Sequence, residues 1–90
     1  MPRSLTIQRS TVPASERSKY FERLKACKAH YTAANCRFWV FEESSLMGAF
    51  IEFTEADDET VLTVAHANSP FSVLDPARIY RETEIGSNAG

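Results

Sequence analysis

The sequence predicts a small α+β fold with the element order β-α-β-β-α-β. Three patterns carry this expectation. Side chains alternate with a period of two near both ends, from Leu5 to Ser10 and from Ile79 to Ile85. Tyr20, Phe21, Leu24, Cys27 and Tyr31 recur at three- and four-residue steps, the spacing of one helix face. Two aromatic and branched runs, Arg37 to Phe41 and Ala49 to Thr54, flank a polar connection ending in Gly48, as the strands of a hairpin do. The chain of 90 residues makes one domain, expected over residues 1–85, with 86–90 a tail that has nothing to pack.

Each element follows from its own residues. The first strand sets Leu5, Ile7 and Arg9 against Thr6, Gln8 and Ser10, and Val12-Pro13 ends it. A long helix starts near Pro13, whose missing donor costs nothing in a first turn, and runs to Ala33 or Ala34. Arg17, Lys19, Glu22, Arg23 and Lys25 fill its wet side, and Asn35 suits the left-handed stop. The second strand carries apolar residues on both parities and is expected to be covered on both faces. After the third strand, Asp57 caps a short helix over Val61, Leu62, Val64 and Ala65, with Asp58 and Glu59 in its first turn. Asn68-Ser69-Pro70 stops it, Asp75-Pro76 turns the chain, and Ile79 to Ile85 form the last strand. This is the ferredoxin-like order.

The net charge of -2 and pI of about 5.6 argue against a nucleic-acid footprint, which needs a basic surface. No apolar run reaches the roughly 18 residues of a membrane span, and the first residues lack the apolar core of a signal peptide, so the chain reads as cytoplasmic. Cys27 and Cys36 have neither CxxC spacing nor histidine neighbours and are expected as free, buried thiols. No phosphate loop, nucleophile signature or metal-ligand spacing is present, so no metal and no cofactor are implied. The acidic run Glu55, Asp57, Asp58 and Glu59 lacks the spaced ligands of a calcium loop and reads as a helix start.

Two helices cover one face of a four-stranded antiparallel sheet. If Leu5, Ile7, Phe38, Val40, Ala49, Ile51 and Phe53 meet the helices, then Thr6, Gln8, Trp39, Phe41, Phe50, Glu52, Tyr80 and Glu82 share the other face. Four aromatics would then lie uncovered, and a patch of that kind marks an interface or a ligand groove. On this element order, and on the segments Arg37 to Glu42, Gly48 to Phe53 and Ala77 to Arg81, the chain resembles the dimeric α/β-barrel superfamily. There, two ferredoxin-like protomers pack sheet against sheet and enclose a cavity. The resemblance implies a homodimer and a scaffold used by cofactor-free monooxygenases, haem-degrading enzymes and isomerases. The Asn, Trp and His of the haem-degrading members are not matched in place, since Asn35 and Trp39 fall on other elements and only His66 lies on a comparable helix.

The candidate catalytic residues are Glu52 and His66. Glu52 interrupts Phe50-Ile51-Glu52-Phe53, and a carboxylate beside aromatic surface is prepared for acid/base work by the loss of water around it. An ion pair with Arg37, or with a basic residue of a partner subunit, is the alternative. His66 points to solvent, to the loop Asn68 to Asp75, or into a site, whereas His30 is expected at the surface near a helix end. Gln8, Trp39, Phe41, Phe50 and Tyr80 would line the cavity around Glu52 and hold a hydrophobic small molecule. The competing expectation is a non-catalytic dimeric module that binds a small molecule or only assembles.

Overall fold

The structure, a computed structural model, describes residues 2–71 and 78–85. It is ferredoxin-like: a four-stranded antiparallel sheet in the order β2-β3-β1-β4 with two α-helices. The strands are β1 (Ser4–Thr11), β2 (Arg37–Glu42), β3 (Ala49–Ala56) and β4 (Tyr80–Arg81), and the helices α1 (Arg17–Ala33) and α2 (Glu59–Ala67). The Asp75-Pro76 turn and the tail 86–90 lie outside the described residues.

The long helix forms as its spacing requires, with Tyr20, Leu24, Cys27 and Tyr31 as its buried stripe. Its first turn differs: Pro13 is extended and leads into a 3-10 turn over Ala14–Glu16 before α1 begins at Arg17. At the other end Asn35 takes a positive φ of 63°, and the Cys36 amide reaches back to the Tyr31 carbonyl at 2.8 Å. That is a Schellman stop with asparagine in the left-handed position. The cap of α2 is shifted by one residue from the expected Asp57, since the Asp58 side chain accepts from the Thr60 amide while Asp57 pairs with Arg37.

Gly48 sits at φ 92° where β3 starts. Its amide donates to Glu42 Oε2 and its carbonyl accepts from Val12. A Cβ there would stand 2.5 Å from the Val12 carbonyl oxygen, so only glycine fits. The last strand is shorter than the alternation over Ile79 to Ile85 suggests. Arg81 pairs with Ser4, the first residue of β1, and one further bond from Glu82 to the Arg3 carbonyl ends the contact.

Register overturns the expected assignment of the sheet faces. In both ladders even-numbered residues pair with even-numbered ones: Gln8 with Glu52, Glu52 with Val40, Thr6 with Thr54, Thr54 with Phe38. Ser4, Thr6, Gln8, Ser10, Phe38, Val40, Glu42, Phe50, Glu52, Thr54 and Ala56 therefore share the face under the helices. Leu5, Ile7, Arg9, Trp39, Phe41, Ile51 and Phe53 share the open one, with Tyr80 opposite Leu5. Phe38 and Val40 on the helix side, and Trp39, Phe41 and Tyr80 on the open side, stand as expected; β1 and β3 are reversed.

The domain is thus partly inside out. Beneath the helices the apolar core is Tyr20, Leu24, Cys27, Tyr31, Cys36, Phe38, Phe50, Ala56, Leu62 and Ala65, and interleaved with it are buried Ser4, Thr6, Glu52, Thr54 and His66. On the open face Trp39 stacks on Phe53 and Phe41 meets it edge-on, and no described element covers them. Arg3 and Arg37 clamp the buried Glu55 at one end of this face, at 2.8 and 2.9 Å.

Candidate functional site

The site lies between α1, α2 and the sheet. Thr6 and Gln8 come from β1, Glu52 and Thr54 from β3, Arg23, Cys27 and Tyr31 from α1, and His66 from α2. With Ser69, Phe38 and Phe71 they line one small cavity of about 20 Å³, room for about one water molecule. The helix supplies its polar groups in register, because Tyr20, Arg23, Cys27 and Tyr31 are spaced three, four and four residues apart and look toward the sheet together.

Glu52 is 6% exposed and accepts a 2.6 Å hydrogen bond from the Tyr20 hydroxyl, the length of a charge-assisted O–H···O contact. Burial first, and then this bond, push the Tyr20 hydroxyl well above the ordinary phenol range, so Tyr20 remains a donor. The imidazole of His66 is held on both nitrogens: Thr6 Oγ1 lies 2.7 Å from Nε2 and the Tyr31 hydroxyl 2.8 Å from Nδ1. Burial, with His30 adding repulsion, lowers its basicity below the ordinary histidine value. A neutral ring has one N–H and one lone pair, so one of the two hydroxyls accepts from it and the other donates to it. The result is a continuous proton-bearing chain Thr6–His66–Tyr31 beside a carboxylate held by a second tyrosine.

A larger groove of about 510 Å³ adjoins this cavity, lined by Val12, Pro13, Tyr20, Arg23 and Phe71 together with Thr11, Glu16, Lys19 and Glu22. Arg23 and Phe71 border both spaces. Tyr20 lines the groove and gives its hydroxyl to Glu52 within. Such a volume is typical of small-molecule sites.

The residues expected to form one pocket are divided between the two faces. Glu52, His66 and Gln8 meet under the helices. Phe50 is also there, buried against Tyr20 at 4.8 Å between ring centres. Trp39, Phe41 and Tyr80 lie on the open face, apart from Glu52. The pocket expected on the sheet face away from the helices therefore does not contain the carboxylate, because the register turns Glu52 inward. Arg37 is not its partner either, being bound to Glu55 and Asp57. His30 is half-buried rather than on the surface, donating from Nε2 to the Ala65 carbonyl at 2.8 Å and so tying α1 to α2.

Tyr20, Tyr31 and Arg23 escaped the sequence reading, the tyrosines as core and Arg23 as part of the wet side. Two tyrosines in one inward stripe were the available signal, since buried hydroxyls need polar partners. Cys27 and Cys36 are both free and buried. Among the described residues no group of three His, Cys, Asp or Glu side chains is placed to hold a metal ion, and no helix is long and apolar enough to cross a membrane. In comparisons with family models, curated proteins and solved structures, nothing matches the chain.

Proposed function

We propose that two copies of this chain associate through their open sheet faces, in the manner of the dimeric α/β barrels it resembles, and that each binds a hydrophobic small molecule between α1 and the sheet. Glu52 and His66 serve as the acid/base groups. The chemistry is proton removal from a weakly acidic C–H or O–H, the step common to isomerisation and to cofactor-free oxygenation of an electron-rich ring. The observation that carries the reading is the shared wall: Tyr20 borders the groove and donates to Glu52 in the cavity that also holds His66. A domain this small gains stability from every apolar side chain it buries, so a carboxylate, an imidazole and two tyrosine hydroxyls in the interior favour a chemical role over a structural one.

The test is proton exchange. Enolisable ketones and polycyclic phenols are incubated with the protein in D₂O, with oxygen uptake followed in parallel. Glu52→Gln is expected to reduce either signal by about 100-fold or more, the usual worth of a positioned general base, with dimer and circular dichroism unchanged. Equal rates in the wild type and in Glu52→Gln contradict the reading. A second reading, a non-catalytic assembly module, is favoured by the open face itself, whose apolar side chains outnumber those the same strands place under the helices. It expects association to persist and no compound to exchange.

A further inference from the structure

We propose that Arg23 makes the groove a site for a hydrophobic anion, a carboxylate or phenolate carried on an apolar body; this rests on the small-molecule reading above and names its substrate class. Arg23 stands on the inward stripe of α1, between Tyr20 and Cys27, and borders both the groove and the inner cavity. Its Nε is fully buried and makes no well-formed hydrogen bond to any described residue; the guanidinium is close enough to act on the Cys27 thiol, which is only a weak partner. Buried donors are almost always paired in folded proteins, and an orphan at a cavity wall marks a place where something else completes the pairing. The guanidinium carbon lies 5.5 Å from the centre of the Phe71 ring, a cation–π contact that helps to hold the group at the cavity wall. A planar fork held in this way presents its N–H edge to a carboxylate in two parallel bonds, a geometry that a lysine does not offer.

The remainder of the groove suits the rest of such a molecule. Val12, Pro13, Tyr20 and Phe71 form apolar wall. The charged residues on the rim do not compete for the same position. Glu22 pairs with Lys25 at 3.3 Å, and Glu16 and Lys19 are exposed. A ligand whose anionic end reaches Arg23 places the adjoining atoms beside Tyr20 and toward Glu52. There, negative charge that develops as a proton leaves is met by a cation already in position.

Two probes with the same ring system separate charge from hydrophobicity: 8-anilinonaphthalene-1-sulfonate and its neutral analogue N-phenyl-1-naphthylamine. Affinity is read by fluorescence, and location by amide shifts at residues 11, 12 and 19–23 in the labelled protein. The anion is expected to bind in the groove about tenfold more tightly than the neutral compound. Arg23→Met is expected to abolish that difference while leaving the neutral compound within about twofold, and Arg23→Lys to restore part of it. Should Arg23→Met fail to fold, the wild type still decides, since the preference for the anion must shrink at high salt. Equal binding of both probes in the groove, unaffected by Arg23→Met or by salt, overturns the anion assignment and leaves the groove reading intact. Shifts confined to Leu5, Ile7, Ile51 and Phe53 overturn the groove reading itself.

Discussion

Glu52 and Phe53 are neighbours on β3 and face opposite ways: Glu52 is buried under Tyr20, whereas Phe53 stacks on Trp39 in the open. One peptide unit thus separates the candidate chemistry from the candidate interface. Disturbing one face while leaving the other is therefore a matter of choosing parity.

Phe50 and Phe53 make the comparison directly. Phe53→Glu is expected to give a folded monomer, because it places a charge in an apolar patch that a second copy would cover. Phe50→Glu is expected to unfold the domain, since Phe50 is 4% exposed and packs on Tyr20 and Phe21, where an unpaired charge is severely destabilising. Light scattering and circular dichroism distinguish the outcomes. A wild-type protein that is monomeric at high micromolar concentration removes the interface; a stable one buries about 1,200 Å² or more in total.

Element order and helix spacing were legible because period and capping chemistry are local. Asn35 announced the end of α1 and Gly48 the turn into β3 from their own conformational tolerance. Face assignment was not local. Leu5 and Ile7 looked like core by hydropathy, yet the six residues between β2 and β3 fix a pairing in which Phe38 and Phe53 cannot share a face. Hydropathy alone puts the more polar side of β1 and β3 outermost, and the register of these two strands reverses that. His66 and Glu52 were found by residue type, but their tyrosine partners lie some 32 to 35 positions away in sequence, and nothing local joins them.

The Tyr20–Glu52 bond predicts a non-additive pair. Tyr20→Phe leaves the carboxylate short of a donor and is expected to cost about 1.5–3 kcal/mol. Replacing both groups, as Tyr20→Phe with Glu52→Met, is expected to recover much of that loss, because neither polar atom is then left behind. Urea unfolding at one fixed protein concentration measures it. Simple addition of the two single effects would show that the hydroxyl and carboxylate are not coupled.

Both thiols are expected to be inert in the folded protein. Burial raises Cys27, although Arg23 acts against this, and burial raises Cys36, so little reactive thiolate forms near neutral pH. An aromatic disulfide reagent should titrate two thiols in denaturant without reductant and react slowly with either before unfolding. Recovery of the thiols only after reduction would contradict the free, buried arrangement.

Acid should destabilise the fold in two separate windows, and the sign is the same in both. The buried His66 binds a proton less readily folded than its ordinary value of 6.5 implies. Below about that pH the unfolded chain takes up a proton that the folded one resists, and stability falls as the pH falls. Above it the contribution is fully present. Glu42 titrates lower. The bidentate Arg17 contact at 2.9 Å, helped by the Gly48 amide, lowers its carboxyl from 4.5 to about 2. Its contribution is present above pH 4.5 and is lost as the pH drops toward 2. Urea midpoints taken across both ranges should show a step that His66→Gln removes and a lower one that Arg17→Met removes. Because the two sites share no partner, each variant should leave the other step in place. A midpoint that rises as the pH falls through 6.5, or an upper step that survives in His66→Gln, would mean that the histidine is not held neutral between Thr6 and Tyr31.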